Sequence, residues 1–254
     1  MRKIYSIALN TFREAVRDRI LYLLLVFSLL MIICSRVISL LTIGSEEKIV
    51  KDIGLSAINI FSVLIAVFVG VGLVFKEIEK KTIYTIVSKP IERYQFIVGK
   101  YLGLTATILI NMIIMTAVFY VVMVIQGYSD FNLGKAIILT FFEILVVTAV
   151  AVLFSSFSTP ILSSVFTVSI YIVGHLSWSF LLLRNYMKGA SGRALCTFLY
   201  YIFPNLEYFN VRGDVVNKIA IEGGYIFFAA AYGIGWSLIL IIIASIIFQN
   251  RNFN

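Results

Sequence analysis

Six long apolar stretches constrain the fold of this chain more than any other feature of its sequence. Each contains 22 to 25 residues, and about 20 apolar residues suffice for a helix to cross the hydrocarbon core of a bilayer. Inside a bilayer the backbone must satisfy its own hydrogen bonds, so a single apolar span of this length is helical. The sequence therefore predicts an all-α, six-span membrane protein, with spans at residues 20–43, 53–75, 101–125, 136–157, 161–183 and 225–248.

The composition agrees with a membrane protein and excludes an ordinary soluble domain. Of the 254 residues, 61% are hydrophobic and 13% are charged, whereas soluble domains contain about 25% charged residues. The net charge of +8 does not indicate nucleic-acid binding, because the basic residues flank the apolar stretches and form no domain of their own. We expect one transmembrane domain over residues 1–254, located in the cell membrane and in contact with anionic lipid.

The distribution of Lys and Arg predicts the orientation of the spans. The segments assigned to the cytoplasmic side contain twelve of these residues, and the short outer loops contain three. The long loop after the fifth span contains five, but long loops have little influence on orientation. Both termini are therefore predicted to lie in the cytoplasm.

Residues 1–19, ahead of the first span, predict an amphipathic helix. Ile4, Ala8, Phe12 and Val16 recur every fourth residue, while polar and basic residues fall on the opposite side. This pattern is typical of a helix that lies in the membrane interface, and a short soluble helix is the alternative.

The loop at residues 76–100, between spans two and three, is strongly basic. Six of its 25 residues are Lys or Arg. Ser88 is suited to cap a helix, Pro90 to its first position, and Glu92 lies near its positive end. A short capped helix in a cytoplasmic loop suits a docking element, whereas the charge alone is equally compatible with a solvated loop.

This loop resembles a known family. Glu77–Glu79 and the following KKTIYTIVSKPIERYQFIVGKYLG are similar to the loop between spans two and three of type-2 ABC exporter permeases. A Pro-Asn-Leu motif in LYYIFPNLEYFN, residues 199–210, resembles the subfamily that contains the nitrous-oxide-reductase maturation permease. Together with the six spans, the resemblance covers the whole chain. It implies a coupling helix at about residues 88–96, docked in a groove of an ATPase subunit. The implied docking residues are Ser88, Lys89, Pro90, Ile91, Glu92, Arg93 and Tyr94.

The resemblance implies that the chain is the permease subunit of an ATP-binding-cassette exporter. Two separate ATPase subunits would bind ATP and Mg²⁺, and a second permease chain, identical or paralogous, would complete the pathway. The chain itself is not expected to be an enzyme or to bind a cofactor. Val98–Tyr101 lacks the upstream glycine and the hydroxyl residue of a P-loop, and a single histidine excludes the paired-histidine zinc motif.

Two other functional classes stay open at this stage. One is a membrane assembly or binding partner that transports nothing itself. The other is an ATP-independent secondary transporter, although the two halves of the chain show no inverted repeat of the kind common in that class.

Polar residues inside the spans are functional candidates, because an ionisable group is costly to bury in a bilayer. Arg36 lies about 10 Å of helix from the outer end of span one, which allows it to snorkel to the interface. Glu143 in span four and His175 in span five are the other pathway candidates, and Glu143 could either pair with Arg36 or simply hydrogen-bond within the bundle. Asn59 and Asn111 are expected to join helices by hydrogen bonds.

The loop between spans five and six has an apolar segment of its own. Leu195–Phe203 is stopped by Pro204 and, at about 14 Å of helix, is too short to cross the membrane. Nearby tyrosines suit the membrane surface. An outer re-entrant or interfacial element is therefore expected, with a small outer cap as the alternative.

Cysteine labelling tests the predicted topology. In a background without Cys34 and Cys196, cysteines introduced at Ser45 and Ser129 should react with an impermeant thiol reagent in whole cells, because both positions belong to outer loops. A cysteine at Ser88 should react only after lysis. Labelling at Ser88 in intact cells would contradict the six-span arrangement.

Overall fold

The protein is described here by a computed structural model that places residues 2–40, 45–79, 92–128, 130, 132–187 and 189–250, without the side chains of residues 73–79 and 250. These ranges contain helices and no strand, so the predicted all-α fold is confirmed. The helices are α1 Arg2–Val16, α2 Arg19–Ser39, α3 Glu46–Glu79, α4 Arg93–Ile125, α5 Leu133–Ser155, α6 Pro160–His175, α7 Ser177–Tyr186, α8 Ala190–Ile202, α9 Arg212–Val216 and α10 Gly223–Asn250, with a 3-10 turn at Leu206–Phe209.

Five of these helices, α2, α3, α4, α5 and α10, are each long and apolar enough to cross a membrane. Helices α6 and α7 together meet the same criterion, but they are bent by 57°. The break is at Leu176, which lies inside the fifth span predicted as continuous over 161–183. Counted as one bent span, the pair completes the six that the apolar stretches predict.

The two helices that flank the basic loop are longer than their predicted spans. Helix α3 has 34 residues and α4 has 33. Glu92 is the N-cap residue of α4, so Arg93–Phe96 form its first turn. Arg93–Phe96, the last residues of the coupling helix predicted at about 88–96, thus belong to α4, and the coupling helix itself stays a prediction. Ser88, Lys89, Pro90 and Ile91 lie outside the described residues.

Helix α1 packs against the N-terminal half of α4. A Cβ atom added to Gly103 would lie 2.5 Å from the carbonyl oxygen of Ala8 and 2.6 Å from Cβ of Thr11. Thr11 and Ala15 are buried in this contact. The amphipathic pattern thus forms the predicted helix, but the less polar face of that helix lies against α4, since glycines on α4 allow close approach.

The first turn of α4 is tied to the last turn of α10. Arg93 donates from Nη1 to the carbonyl oxygens of Phe248, at 3.3 Å, and Gln249, at 2.8 Å. The last carbonyls of a helix have no intrahelical partner, so this guanidinium satisfies groups that would otherwise need water. Phe96 stacks on Phe248 with ring centroids 5.5 Å apart.

A buried ion pair holds the opposite end of the bundle. The ammonium group of Lys51, on α3, lies 2.6 Å from the carboxylates of both Glu47 and Asp130, and its side chain is fully buried. Burial raises the pKa of Asp130, but hydrogen bonds, the strongest from Lys51, outweigh that effect and leave the pKa below its usual value. The stabilisation from this ionised carboxylate is therefore complete above about pH 4 and is lost as the pH falls through the lowered pKa.

The close contact between α1 and α4 predicts a specific sensitivity. Gly103→Ala should lower the thermal unfolding temperature of the purified protein, because overpacking of this kind costs about 1–3 kcal/mol. Gly235→Ala on α10 is the matched control, since a Cβ there would meet nothing within 4 Å. Equal unfolding temperatures for the two variants would contradict the packing of α1 on α4.

Candidate functional site

A cavity of about 240 Å³ opens between α3, α5 and α6, beneath the segment that follows α8. It lies toward the end of the bundle that the charge distribution predicts to face outward. Helices distant in sequence supply its polar lining. These side chains belong to Asn59, Thr140, Glu143, Tyr171, His175, Asn210 and Arg212.

Glu143 is only 1% exposed, and both of its carboxylate oxygens have partners. Asn59 donates from Nδ2 to Oε2 at 2.8 Å, and Nε2 of His175 lies 2.9 Å from Oε1. The hydroxyl of Tyr171 in turn donates to Oδ1 of Asn59 at 2.9 Å. A buried carboxylate needs this compensation, because an unpaired charge away from water is strongly unfavourable.

This arrangement decides between the pairings that the sequence left open. Glu143 hydrogen-bonds within the bundle and does not pair with Arg36, because Arg36 lies on the exposed face of α2 while the buried face of that helix packs against α3 and α4. Asn59 joins helices as predicted. Asn111 does not, because its Nδ2 donates to the carbonyl oxygen of Thr107 within α4, at 2.9 Å.

His175 stands at the break between α6 and α7 and faces a second carboxylate. Its Nδ1 lies 3.4 Å from Oε2 of Glu207, in the 3-10 turn. The ring of Tyr171 meets the imidazole edge-on, with centroids 4.8 Å apart, and limits how it can turn. Glu143, His175 and Glu207 thus form a continuous chain from a buried carboxylate to one whose side chain is 43% exposed.

A glycine on α6 allows the outer segment to approach the histidine. A Cβ atom on Gly174 would lie 2.7 Å from Cγ of Leu206 and 2.9 Å from the carbonyl oxygen of Pro204. A larger residue would push this segment away. The Pro-Asn-Leu motif therefore lies directly over the break in the fifth span.

Asn205, in the middle of that motif, orients the turn that follows. Its backbone N–H donates to the hydroxyl of Tyr232 on α10, at 2.7 Å. Its side-chain oxygen accepts from the backbone N–H of Glu207, at 3.0 Å, as in a helix N-cap. The motif is a structural turn that places Glu207 beside the histidine.

Arg212, at the start of α9, holds the mouth of the cavity against α3. Its Nε lies 3.1 Å from the carboxylate of Asp52, and its Nη1 donates to the hydroxyl of Ser56 at 2.6 Å. This ion pair is substantially exposed, so its main effect is to position α9, because exposed pairs contribute only about 0–1 kcal/mol.

The apolar outer segment predicted at Leu195–Phe203 lies within α8, apart from its last residue. One face of this segment is exposed, most strongly at Leu195, Phe198 and Tyr201, while Cys196 is buried. An exposed apolar face suits contact with lipid. Whether α8 enters the membrane or lies on it stays a prediction.

The structure describes three of the predicted docking residues, and the surroundings of these three differ. Glu92 and Tyr94 are exposed, whereas Arg93 is bonded to the end of α10.

Tyr171, Glu207 and Arg212 were not identified from the sequence. The Pro-Asn-Leu motif, which immediately precedes Glu207, was the one signal that pointed toward them. Among the described residues, no group of three or more His, Cys, Asp or Glu side chains could hold a metal ion.

Comparison with known proteins identifies the family. Residues 5–253 match the model of the family described as ABC-2 family transporter protein. A search of curated proteins found no match. The family match covers nearly the whole chain, including both the basic loop and the residues around the cavity. The chain therefore belongs to the ABC-2 family and is a multi-pass membrane protein, the permease subunit of an ABC transporter.

Proposed function

We propose that this permease is part of an exporter driven from the cytoplasmic side by two separate ATPase subunits, which dock on the loop at residues 76–100. A second permease chain, identical or paralogous, completes the pathway. ATP and Mg²⁺ bind in the ATPase subunits. The family match over residues 5–253 is the observation that carries this proposal. Membership of the nitrous-oxide-reductase maturation subfamily stays a prediction.

The lengths of α3 and α4 support docking at the loop between them. With 34 and 33 residues, each helix is about 50 Å long at 1.5 Å per residue, whereas the hydrocarbon core is about 30 Å thick. Both helices therefore extend well beyond the membrane core. This length favours a loop that projects into the aqueous phase, where an ATPase subunit would bind it.

The contacts of the first turns of α4 explain how such docking would reach the spans. Arg93 and Phe96 connect this turn to the end of α10. One turn later, the buried Lys100 lies 3.5 Å from the carboxylate of Glu14 on α1. A displacement of the loop would therefore act on α1, α4 and α10 together.

The cavity beside Glu143 and His175 is the candidate for part of the transport pathway. It combines a buried ionisable pair with polar lining from several helices, and such groups inside a membrane are costly unless they have a use. Arg36 lies on an exposed helix face away from this lining. We therefore retain Glu143 and His175 as pathway residues and assign Arg36 to the membrane interface.

Charge reversal at Glu92 tests the docking proposal. Glu92→Lys, combined with Tyr94→Ala, should weaken co-purification of the ATPase subunit by about 100-fold, because a wrongly placed charge in a docked interface costs several kcal/mol. Arg93 is left unchanged, since it stabilises the end of α10. Glu46→Lys, an exposed carboxylate on the opposite side of the bundle, is the matched control.

The control variant should retain the ATPase subunit. If both variants retain it, or if the unaltered chain purifies from its native membrane without an ATPase, docking at this loop is refuted. The chain would then fit better as a membrane assembly partner that transports nothing itself.

Glu143→Gln tests the role of the cavity. The amide keeps the size of the side chain but removes its charge, so we expect altered coupling between transport and ATP hydrolysis with subunit assembly intact. ATPase activity and transport are measured together in reconstituted vesicles. A variant that only lowers yield and the unfolding temperature would indicate that Glu143 merely holds the helices together.

A further inference from the structure

The two carboxylates that face His175 are held in a matching way. Asn59 occupies Oε2 of Glu143 at 2.8 Å, and Asn210 donates to Oε1 of Glu207 at 3.1 Å. In each case a neutral amide binds one carboxylate oxygen while the other oxygen faces the imidazole. These contacts orient three titratable groups in a row without adding a charge of their own.

We propose that Glu207, His175 and Glu143 form a proton relay between the aqueous phase at the outer end of the bundle and the buried carboxylate of Glu143. Glu207 is the half-exposed entrance, His175 is the carrier, and Glu143 is the buried acceptor. Chains of Asp, Glu and His are a recurrent way to move protons inside membrane proteins. The relay adds a proton-binding function to the permease and needs no ATPase to operate.

Each transfer moves the equivalent of one proton from Glu207 through His175 to Glu143. A neutral imidazole carries one N–H, so it can donate to only one of the two carboxylates at a time. With the N–H on Nε2, facing Glu143, Nδ1 accepts the proton that Glu207 has taken from a hydronium ion in the aqueous phase, which leaves as water. The cationic ring then passes its Nε2 proton to Oε1 of Glu143 and keeps the new proton on Nδ1. One proton thus enters at Glu207 and one proton arrives at Glu143. The same steps in reverse return a proton to the aqueous phase.

The other polar and basic residues near the imidazole are bonded elsewhere or exposed. Arg212 lines the same cavity but is engaged by Asp52 on α3. Tyr171, on the same helix as the histidine, touches the ring edge and bonds to Asn59. In α7, beyond the break, the basic residue Arg184 is exposed. Within the described part of the chain, the charged groups that face the imidazole directly are thus the two carboxylates of the relay.

The single histidine of the chain makes the relay directly measurable. The full-length protein, labelled with ¹⁵N-histidine and purified through a histidine-free tag, gives imidazole signals from His175 alone. Nuclear magnetic resonance between pH 5 and 9 should show a neutral ring that carries its proton on Nε2 and a cationic ring protonated on both nitrogens. The exchange of these protons with water is measured in the same samples.

Glu207→Gln should slow this exchange by about 100-fold, because a positioned side chain that transfers a proton accelerates the transfer by about that factor. Glu222→Gln, which removes an exposed carboxylate elsewhere in the outer segment, is the matched control and should leave exchange unchanged. The thermal unfolding temperature of each variant is recorded alongside, so that loss of structure is distinguished from loss of proton transfer.

An unchanged exchange rate in Glu207→Gln would overturn the relay, even if this variant unfolds at a lower temperature. That result would make the three residues a structural clamp across the break in the fifth span. A histidine that shows no cationic form over this pH range would overturn it equally. Neither measurement involves the ATPase, so failure of the relay and failure of the docking proposal are separate results.

Discussion

The buried carboxylate of Glu143 is the constraint on which the outer half of the structure depends. A charge at 1% exposure among apolar helices is tolerated only if its oxygens are bonded. Its partners come from α3 and from the end of α6, so these two contacts join the three helices at this level of the bundle. The helix breaks directly after His175, and the imidazole at this break faces both Glu143 and the outer turn.

The two ends of the bundle are held by different interactions. At the predicted outer end, the buried Lys51 joins α3 to the segment between α4 and α5 through carboxylates. At the predicted inner end, Arg93 satisfies the last carbonyls of α10, and glycines on α4 allow α1 to approach. This second set of contacts surrounds the start of α4, where the basic loop ends, so it connects the proposed docking site to three helices.

These features assign separate roles to the two ends. The end that the charge distribution predicts to be cytoplasmic has long helices and a basic loop suited to a protein partner in the aqueous phase. The end predicted to face outward has a polar cavity, a broken span and a row of titratable residues beneath a structured segment. In an exporter these would be the end that receives the work of ATP hydrolysis and the end where release and proton exchange occur.

The sequence by itself determined that the chain is helical, that it can cross the membrane six times, and where the basic loop lies. These properties depend on local composition, because the length of an apolar stretch and the charges beside it act without reference to distant residues. Only the tertiary structure decided that Glu143 meets His175 and not Arg36, that the fifth span breaks at Leu176, and that Arg93 binds the end of α10. Each of these depends on which helix faces intersect, and sequence periodicity does not specify how faces of separate helices are paired.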